Sequence, residues 1–267
     1  MASSTRQSLA AAKEALNAHL GSADLKFADE LFGLASAIAG STQLRNLLSD
    51  PSSETVAKQQ AATAVFGKAI SKGALEFVNV LVGLRWSKGS DLVAALEQLA
   101  VHTVAAIAAK AKNLEAVESE LFAFQQAVES DSELQLALGS KVASADAKLA
   151  LVDALISKKT SGEAATLIRQ AVVAAGRRRV ALVLEFYGKQ VSAYASRLVA
   201  TVTVAGALSA SQLDRLEKAL TNSYGHSVKL NVEVDPSILG GVRVQVAGEI
   251  IDGSLLSRLN EARLQLA

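Results

Sequence analysis

An echo of the chain within itself limits the available folds more than any other feature. Glu30-Leu31-Phe32 returns as Glu120-Leu121-Phe122, and Thr42-Gln43-Leu44 is answered by Ser132-Glu133-Leu134. Val65-Phe66-Gly67-Lys68 matches Leu155-Ile156-Ser157-Lys158, and Phe77, Leu81, Val82 and Leu92 match Leu167, Ala171, Val172 and Leu182. The offset stays at about 90 residues almost without gaps, the signature of an internal duplication. Chance register between two Ala/Leu-rich stretches is the competing reading, and it does not explain why the turn punctuation repeats too. Under duplication, the segment from Leu92 to Lys112 closes the first copy and opens the second.

Each copy reads as helices. The 267 residues contain only two prolines, Pro51 and Pro236, and are rich in strong helix formers. Leu9, Ala12, Leu16 and Leu20 fall near one face of a first helix, which Gly21 ends. Phe27, Leu31, Leu34 and Ile38 follow at helical spacing up to Gly40. A short helix over Ser41 to Leu48 stops at Asp50-Pro51. Ser52 or Ser53 is expected to cap a fourth helix reaching Ile70. A fifth runs from Leu75 to Arg85, and a long sixth starts at Gly89-Ser90-Asp91. Connections this short make neighbouring helices pack antiparallel.

The period changes from 3.6 to 2 after Arg197. Ala200, Val202 and Val204 alternate with Val199, Thr201 and Thr203, which describes a half-buried strand. Ser209-Ala-Ser-Gln212 is a capping box opening a helix with Leu213, Leu216 and Leu220. A second strand holds Val228, Leu230, Val232 and Val234, and Asp235-Pro236 turns the chain. A third spans Leu239 to Ala247 with Val242, Val244 and Val246 inward and Arg243 and Gln245 outward. Asp252-Gly253-Ser254 opens a last helix carrying Leu255, Leu259 and Leu266. The expected fold is mainly α: a six-helix bundle over 1–112, a second homologous bundle in tandem over 113–196, and a small βαββα unit over 197–267.

No chemistry emerges from the motifs. Gly67-Lys68 is the nearest approach to a P-loop, but Ala62 and Ala69 stand where the first Gly and the metal-binding hydroxyl are needed. His19, His102 and His226 lack the pairing of a helical metal site, so structural or surface roles are expected. Without cysteine, thiolate zinc and disulfides are excluded. No serine lies in a nucleophile elbow. A net charge of +1 gives no bulk attraction to nucleic acid or acidic lipid. Arg177-Arg178-Arg179 is a basic cluster without interleaved aromatics, which reads as a solvated loop or a protein contact. Trp86 is either a core aromatic or an interface anchor. The apolar run from Leu92 to Ala109 is interrupted by Glu97, Gln98, His102 and Thr103, and reads as a buried soluble helix. The N-terminus shows no apolar segment of the secretory type. Catalytic residues, a metal site and a cofactor are therefore all expected to be missing.

One stretch is more specific. Val228 to Val244, with Asp235-Pro-Ser-Ile-Leu-Gly240-Gly241-Val-Arg243, continues through Gly248-Glu-Ile-Ile-Asp252-Gly253-Ser254-Leu255 to Arg258-Leu259. It resembles the C-terminal signature of the ATP synthase delta (OSCP) family. Residues from Ser4 to about Lys112 look like the six-helix N-terminal domain of that family. The resemblance implies a non-catalytic stator subunit joining the alpha subunit of the F1 head to the b-type peripheral stalk of F0. Nucleotides would bind elsewhere, no nucleic acid would be involved, and membrane association would be indirect, on the cytoplasmic face of a bacterial plasma membrane. It further implies an alpha-subunit groove between the first and fifth helices, at Leu9, Ala12, Leu16, Leu75, Val78, Val82 and Trp86. Stalk-binding residues would be Asp235, Gly240, Gly241, Arg243, Asp252, Gly253, Ser254 and Arg258. Most members are shorter, and the second bundle copy accounts for the excess. Without the C-terminal signature, a generic helical-repeat adaptor binding partner helices would explain the rest equally well.

Overall fold

The computed structural model describes residues 3–140, 142–156, 160–176, 178–196, 199–206, 208–224, 228–235, 241–246 and 249–252. They are mainly helical with one small sheet. The chain divides into two compact units. The first comprises Met1–Ala108 with Glu115–Val191, and the second Ala109–Leu114 with Ser192–Ala267.

In the first unit, α1 (Ser3–Leu20), α2 (Leu25–Gly40), α3 (Thr42–Ser49), α4 (Thr55–Phe66), α5 (Lys72–Gly83) and α6 (Gly89–Lys110) follow the expected order. They are succeeded by α7 (Leu114–Ser130), α8 (Ser132–Gly139), α9 (Ala145–Ile156), α10 (Gly162–Ala175) and α11 (Val180–Ser196). The echo in sequence is also an echo of contacts. The carboxylate of Glu30 accepts from Ser71 N at 3.1 Å and Ser71 Oγ at 2.5 Å, while that of Glu120 accepts from Ser161 N at 2.8 Å and Ser161 Oγ at 2.6 Å. Ser71 and Ser161 in turn cap α5 and α10, accepting from Ala74 N and Ala164 N at 3.3 Å in both cases. Arg45 reaches the Ala39 carbonyl and Gln135 the Glu129 carbonyl, each at 3.0 Å. Asn79 meets Thr63 where Arg169 meets Asp153. Different side chains thus repeat one geometry.

The cores differ in chemistry at matched positions. Phe27 and Phe77 pack with His19, the imidazole stacked 5.8 Å from Phe27. Val117 and Leu167 occupy the positions of the two phenylalanines in the second half, both fully buried. Helix α6 is long and apolar enough to cross a membrane by composition alone, yet most of it is buried between neighbours. Its one buried carboxylate, Glu97, accepts from Tyr187 Oη at 2.9 Å and Arg178 Nη2 at 3.1 Å. Gln98 donates to Gln190 at 2.6 Å, and Asp91 accepts from Thr5 of α1 at 2.7 Å. One helix therefore bonds to α1 on one side and α11 on the other.

Two expectations about α4 need correction. Neither Ser52 nor Ser53 caps it; Glu54 holds the N-cap position without a side-chain bond. Both serines donate to Asp50 instead, and the Ser52 N–H joins them at 2.9 Å. These donors hold the Asp50 carboxyl below its ordinary pKa. The short polar side chain before Pro51 closes an Asx turn and takes the serines out of play. The helix also ends at Phe66 rather than Ile70. A Cβ on Gly67 would sit 2.5 Å from the Thr63 carbonyl oxygen, so only glycine allows this tightened last turn.

The second unit contains β1 (Val199–Val204), α12 (Ala210–Tyr224), β2 (Lys229–Val234), β3 (Val242–Val246) and β4 (Glu249–Asp252). The sheet order is β2-β1-β3-β4. Strands β1 and β2 are parallel, which requires a crossover, and α12 supplies it. Strand β3 runs antiparallel to both β1 and β4. The capping box forms as expected, with Gln212 Oε1 accepting from Ser209 N at 2.8 Å. Val202, Val204, Val228 and Val244 meet Leu220 of α12 in the core, while Arg243 and Gln245 face outward. The βαββα expectation is corrected in one respect: Glu249–Asp252 forms a fourth strand against β3. The expected last helix, with Leu255, Leu259 and Leu266, lies outside the described residues.

Two measurements test these contacts. Ser71→Ala and Ser161→Ala each remove a cap and the hydroxyl half of a glutamate's two bonds, so each should lower unfolding free energy by about 1–2 kcal/mol, equally in the two halves. Urea titration checks this. Burial, reinforced by the Glu97 charge and its accepted bond, pushes the Tyr187 hydroxyl well above its ordinary pKa of 10.0, against a smaller opposing effect of Arg178. The folded state then keeps a proton that the unfolded chain releases. The Tyr187 contribution is full below about pH 10 and is lost as pH rises further, by up to ~1.4 kcal/mol per pH unit. Tyr187→Phe should be less stable at neutral pH and lose stability less steeply between pH 10 and 11.

Candidate partner-docking surfaces

The seven residues expected to line a groove between the first and fifth helices lie on one seam. Leu9, Ala12 and Leu16 come from α1, Leu75, Val78 and Val82 from α5, and Trp86 follows α5. Ala12, Leu16, Val78 and Val82 are fully buried and Trp86 is 2% exposed, because α1 and α5 pack directly on each other. Only Leu9 and Leu75 reach the surface, each half-buried. Polar bonds at one end fix the seam. Ser8 Oγ donates to the Arg85 carbonyl at 2.7 Å, Thr5 Oγ1 lies 2.9 Å from Ser87 Oγ, and Trp86 Nε1 donates to the Leu81 carbonyl at 2.8 Å. The indole is therefore a core anchor with its polar edge satisfied.

The outer face of α5 carries Lys72, Glu76 and Val80, all exposed. The matched face of α10 carries Gly162, Thr166 and Gln170, and α2 lies against it. Leu25 Cδ1 comes within 3.5 Å of where a Gly162 Cβ would stand. Gln170 donates to Asp29 at 3.0 Å, and Phe32 packs against Tyr187 at 5.8 Å between ring centroids. The second half thus holds a helix on a face that the first half leaves open.

Of the expected stalk-binding residues, Asp235, Gly241, Arg243 and Asp252 are described; Gly240, Gly253, Ser254 and Arg258 lie outside the described residues. Asp235 N donates to the Val204 carbonyl at 2.9 Å, closing β2 onto β1. Gly241 has φ of 93°, a conformation that favours glycine, just before β3. Arg243 pairs in register with Thr203 on one side and Asp252 on the other. The structure brings Arg243 and Asp252 together on adjacent strands.

Two of the remaining singled-out residues have structural roles. Gly67 ends α4, and His19 belongs to the aromatic cluster. His226 and Arg177 lie outside the described residues. Arg178, half exposed in the turn before α11, also holds Glu97 and the Ala174 carbonyl. Sequence reading missed this site, although an isolated Glu in an apolar helix is itself a signal that donors must converge on it. Among the described residues, no three His, Asp or Glu side chains converge as a metal site. A shallow, open concavity of about 420 Å³ lies beside Trp86, between Leu47, Pro51 and Gly89.

Comparison with known proteins adds the following. Residues 100–266 match the family model described as ATP synthase delta (OSCP) subunit. The "ATP synthase subunit delta" of Leifsonia xyli is 44% identical over 100% of both chains. That of Arthrobacter sp. is 38% identical, again over 100% of both. A chain of the Toxoplasma gondii mitochondrial ATP synthase hexamer aligns over 62% of this chain and 94% of its own at 21% identity, with a TM-score of 0.27.

The buried indole generates a clear expectation. Trp86→Ala should cost about 3–5 kcal/mol of stability through the cavity it leaves, measured by thermal melting followed by circular dichroism. A residue whose only role was at an interface would leave the melting temperature unchanged.

Proposed function

Because the chain belongs to the ATP synthase delta (OSCP) family, we propose that it ties the F1 head, through the alpha subunit N-terminus, to the b-type peripheral stalk of F0. It is a structural component of the synthase and carries no catalysis of its own. Its place is peripheral, held to the membrane through the complex, on the cytoplasmic face of the plasma membrane. Torque from the rotor pushes the head around, and a static link must oppose it for ATP synthesis to proceed. Capped, closely connected helices suit a part that bears load.

The observation that carries this reading is the family match over residues 100–266, together with relatives that align end to end. The division of labour has separate support. Residues 1–112 act as the head-binding bundle, 113–196 as a second copy arisen by duplication, and 197–267 as the stalk-binding unit. Helix α2 lying on α10 supports a specific mode of head binding. The matched face of α5, flanked by Leu9 and Leu75, takes an amphipathic helix of the alpha subunit as α10 takes α2, with apolar residues at i, i+3, i+4 and i+7 anchoring it. At the other end of the chain, the end of the sheet that carries Asp235, Arg243 and Asp252 meets the stalk. Two contacts in series hold each other at high effective concentration.

The test uses the tagged chain at its native level. It should pull down alpha and b-type subunits from solubilised membranes, and recovery of no synthase subunit would sink the reading. Leu9→Asp combined with Leu75→Asp places carboxylates at the apolar contact. Retention of alpha should fall about tenfold or more while b-type subunits stay bound.

A further inference from the structure

Phe32 and Phe122 are matched residues with opposite fates. Phe32 is 2% exposed, covered by Tyr187 and the α10–α11 side of the second half. Phe122 is 62% exposed on α7. Around it the matched stripe has changed character. Leu25, Ala28 and Ala35 beside Phe32 correspond to Glu115, Glu118 and Gln125 beside Phe122. Glu129 extends the same line, since residues at 115, 122 and 129 recur every seventh position on one face. Helix α7 carries four glutamates and no lysine or arginine. Glu120 is committed to the capping of α10, and Glu129 accepts from Gln125 and Gln126 of its own helix but keeps its charge unneutralised by any cation of α7.

A solvated end-face would explain the glutamates, but such a face has no use for an exposed phenylalanine on its centre line. We propose that α7 is a docking surface for a basic amphipathic helix of another subunit of the synthase, with an apolar side chain set on Phe122 and lysine or arginine on either side. Two observations choose this occupant. The covered face at Phe32 shows that this position packs against helices within the chain itself, with an aromatic ring on the aromatic ring. The acidic line through Glu115, Glu118 and Glu129 demands opposite charge, and a cation beside the Phe122 ring gains further from its π face. Lipid is disfavoured because an acidic face is repelled by acidic membrane surfaces. A second copy would have to offer a basic helix face.

The surface is separate from both contacts of the stator reading, and rests on that reading only in seeking the partner within the synthase. The experiment places a photo-crosslinking phenylalanine analogue at position 122 of the full chain in cells, irradiates, and identifies the linked peptide by mass spectrometry. The expected product joins position 122 to a helical segment of another synthase subunit with net positive charge. Glu115→Lys with Glu118→Lys should reduce its yield about tenfold. Both side chains lie outside the core, so an unchanged melting temperature shows that the fold survives. No product, a link to a neutral or acidic segment, a link to a second copy, or a yield insensitive to charge reversal would each overturn the proposal. Recovery of the chain with the other synthase subunits is scored in the same preparation, so loss of the α7 contact is distinguishable from failure of the stator reading.

Discussion

A carboxylate inside an apolar helix is tolerable only where donors converge on it, and Glu97 sets this condition for the whole helical unit. Tyr187 and Arg178 meet it from α11 and the turn before it. Removing either would leave the Glu97 charge short of a donor in a poorly solvated place. The bond therefore selects how α11 lies on α6, and α11 in turn presents Tyr187 to Phe32 of the first half. A helix that looked like an uninterrupted apolar span is, through one polar residue, the element that fixes the register of its neighbours.

Glu30 and Glu120 show a second way in which polarity specifies position. Each spans the distance between its own helix and the serine that caps a later one. A cap satisfies donors within one helix, whereas a carboxylate that binds the capping serine ties the start of that helix to a particular point on another. The arrangement survives while core residues at matched positions change from Phe77 to Leu167. Hydrophobic packing accepts different shapes of similar volume, but hydrogen-bond geometry does not.

The helices could be read from the sequence because apolar spacing, short polar turns and the repeat all agreed; the alternating valines of β1, β2 and β3 were equally plain. What escaped was decided between distant segments. Glu249-Ile-Ile-Asp252 is too short to show alternation, and only pairing with β3 makes it a strand. Ser52 and Ser53 looked like caps by type, and a competing carboxylate two or three residues earlier claimed them. The two helices expected to frame a groove do pack on each other, but apolar type alone does not say which residues face outward and which face the other helix. Hence Ala12, Leu16, Val78 and Val82 lie inside the seam and Leu9 and Leu75 at its lip. Glu97 and Tyr187 were hidden for another reason: they stand 90 residues apart, and helical spacing within either segment does not say that the two touch.

The double use of α6 bears on how such a chain can lengthen. A bundle that must be copied whole adds a complete set of helices and a linker between two finished surfaces. Here the increment is α7 to α11, five helices, because α6 serves at both ends. Genetic insertion or loss of one such block at matched points adds or removes five helices and needs no linker, because α6 ends one copy and begins the next. Chain length in this architecture is therefore quantised in steps of about 90 residues, and a reading frame that gains part of a step exposes core.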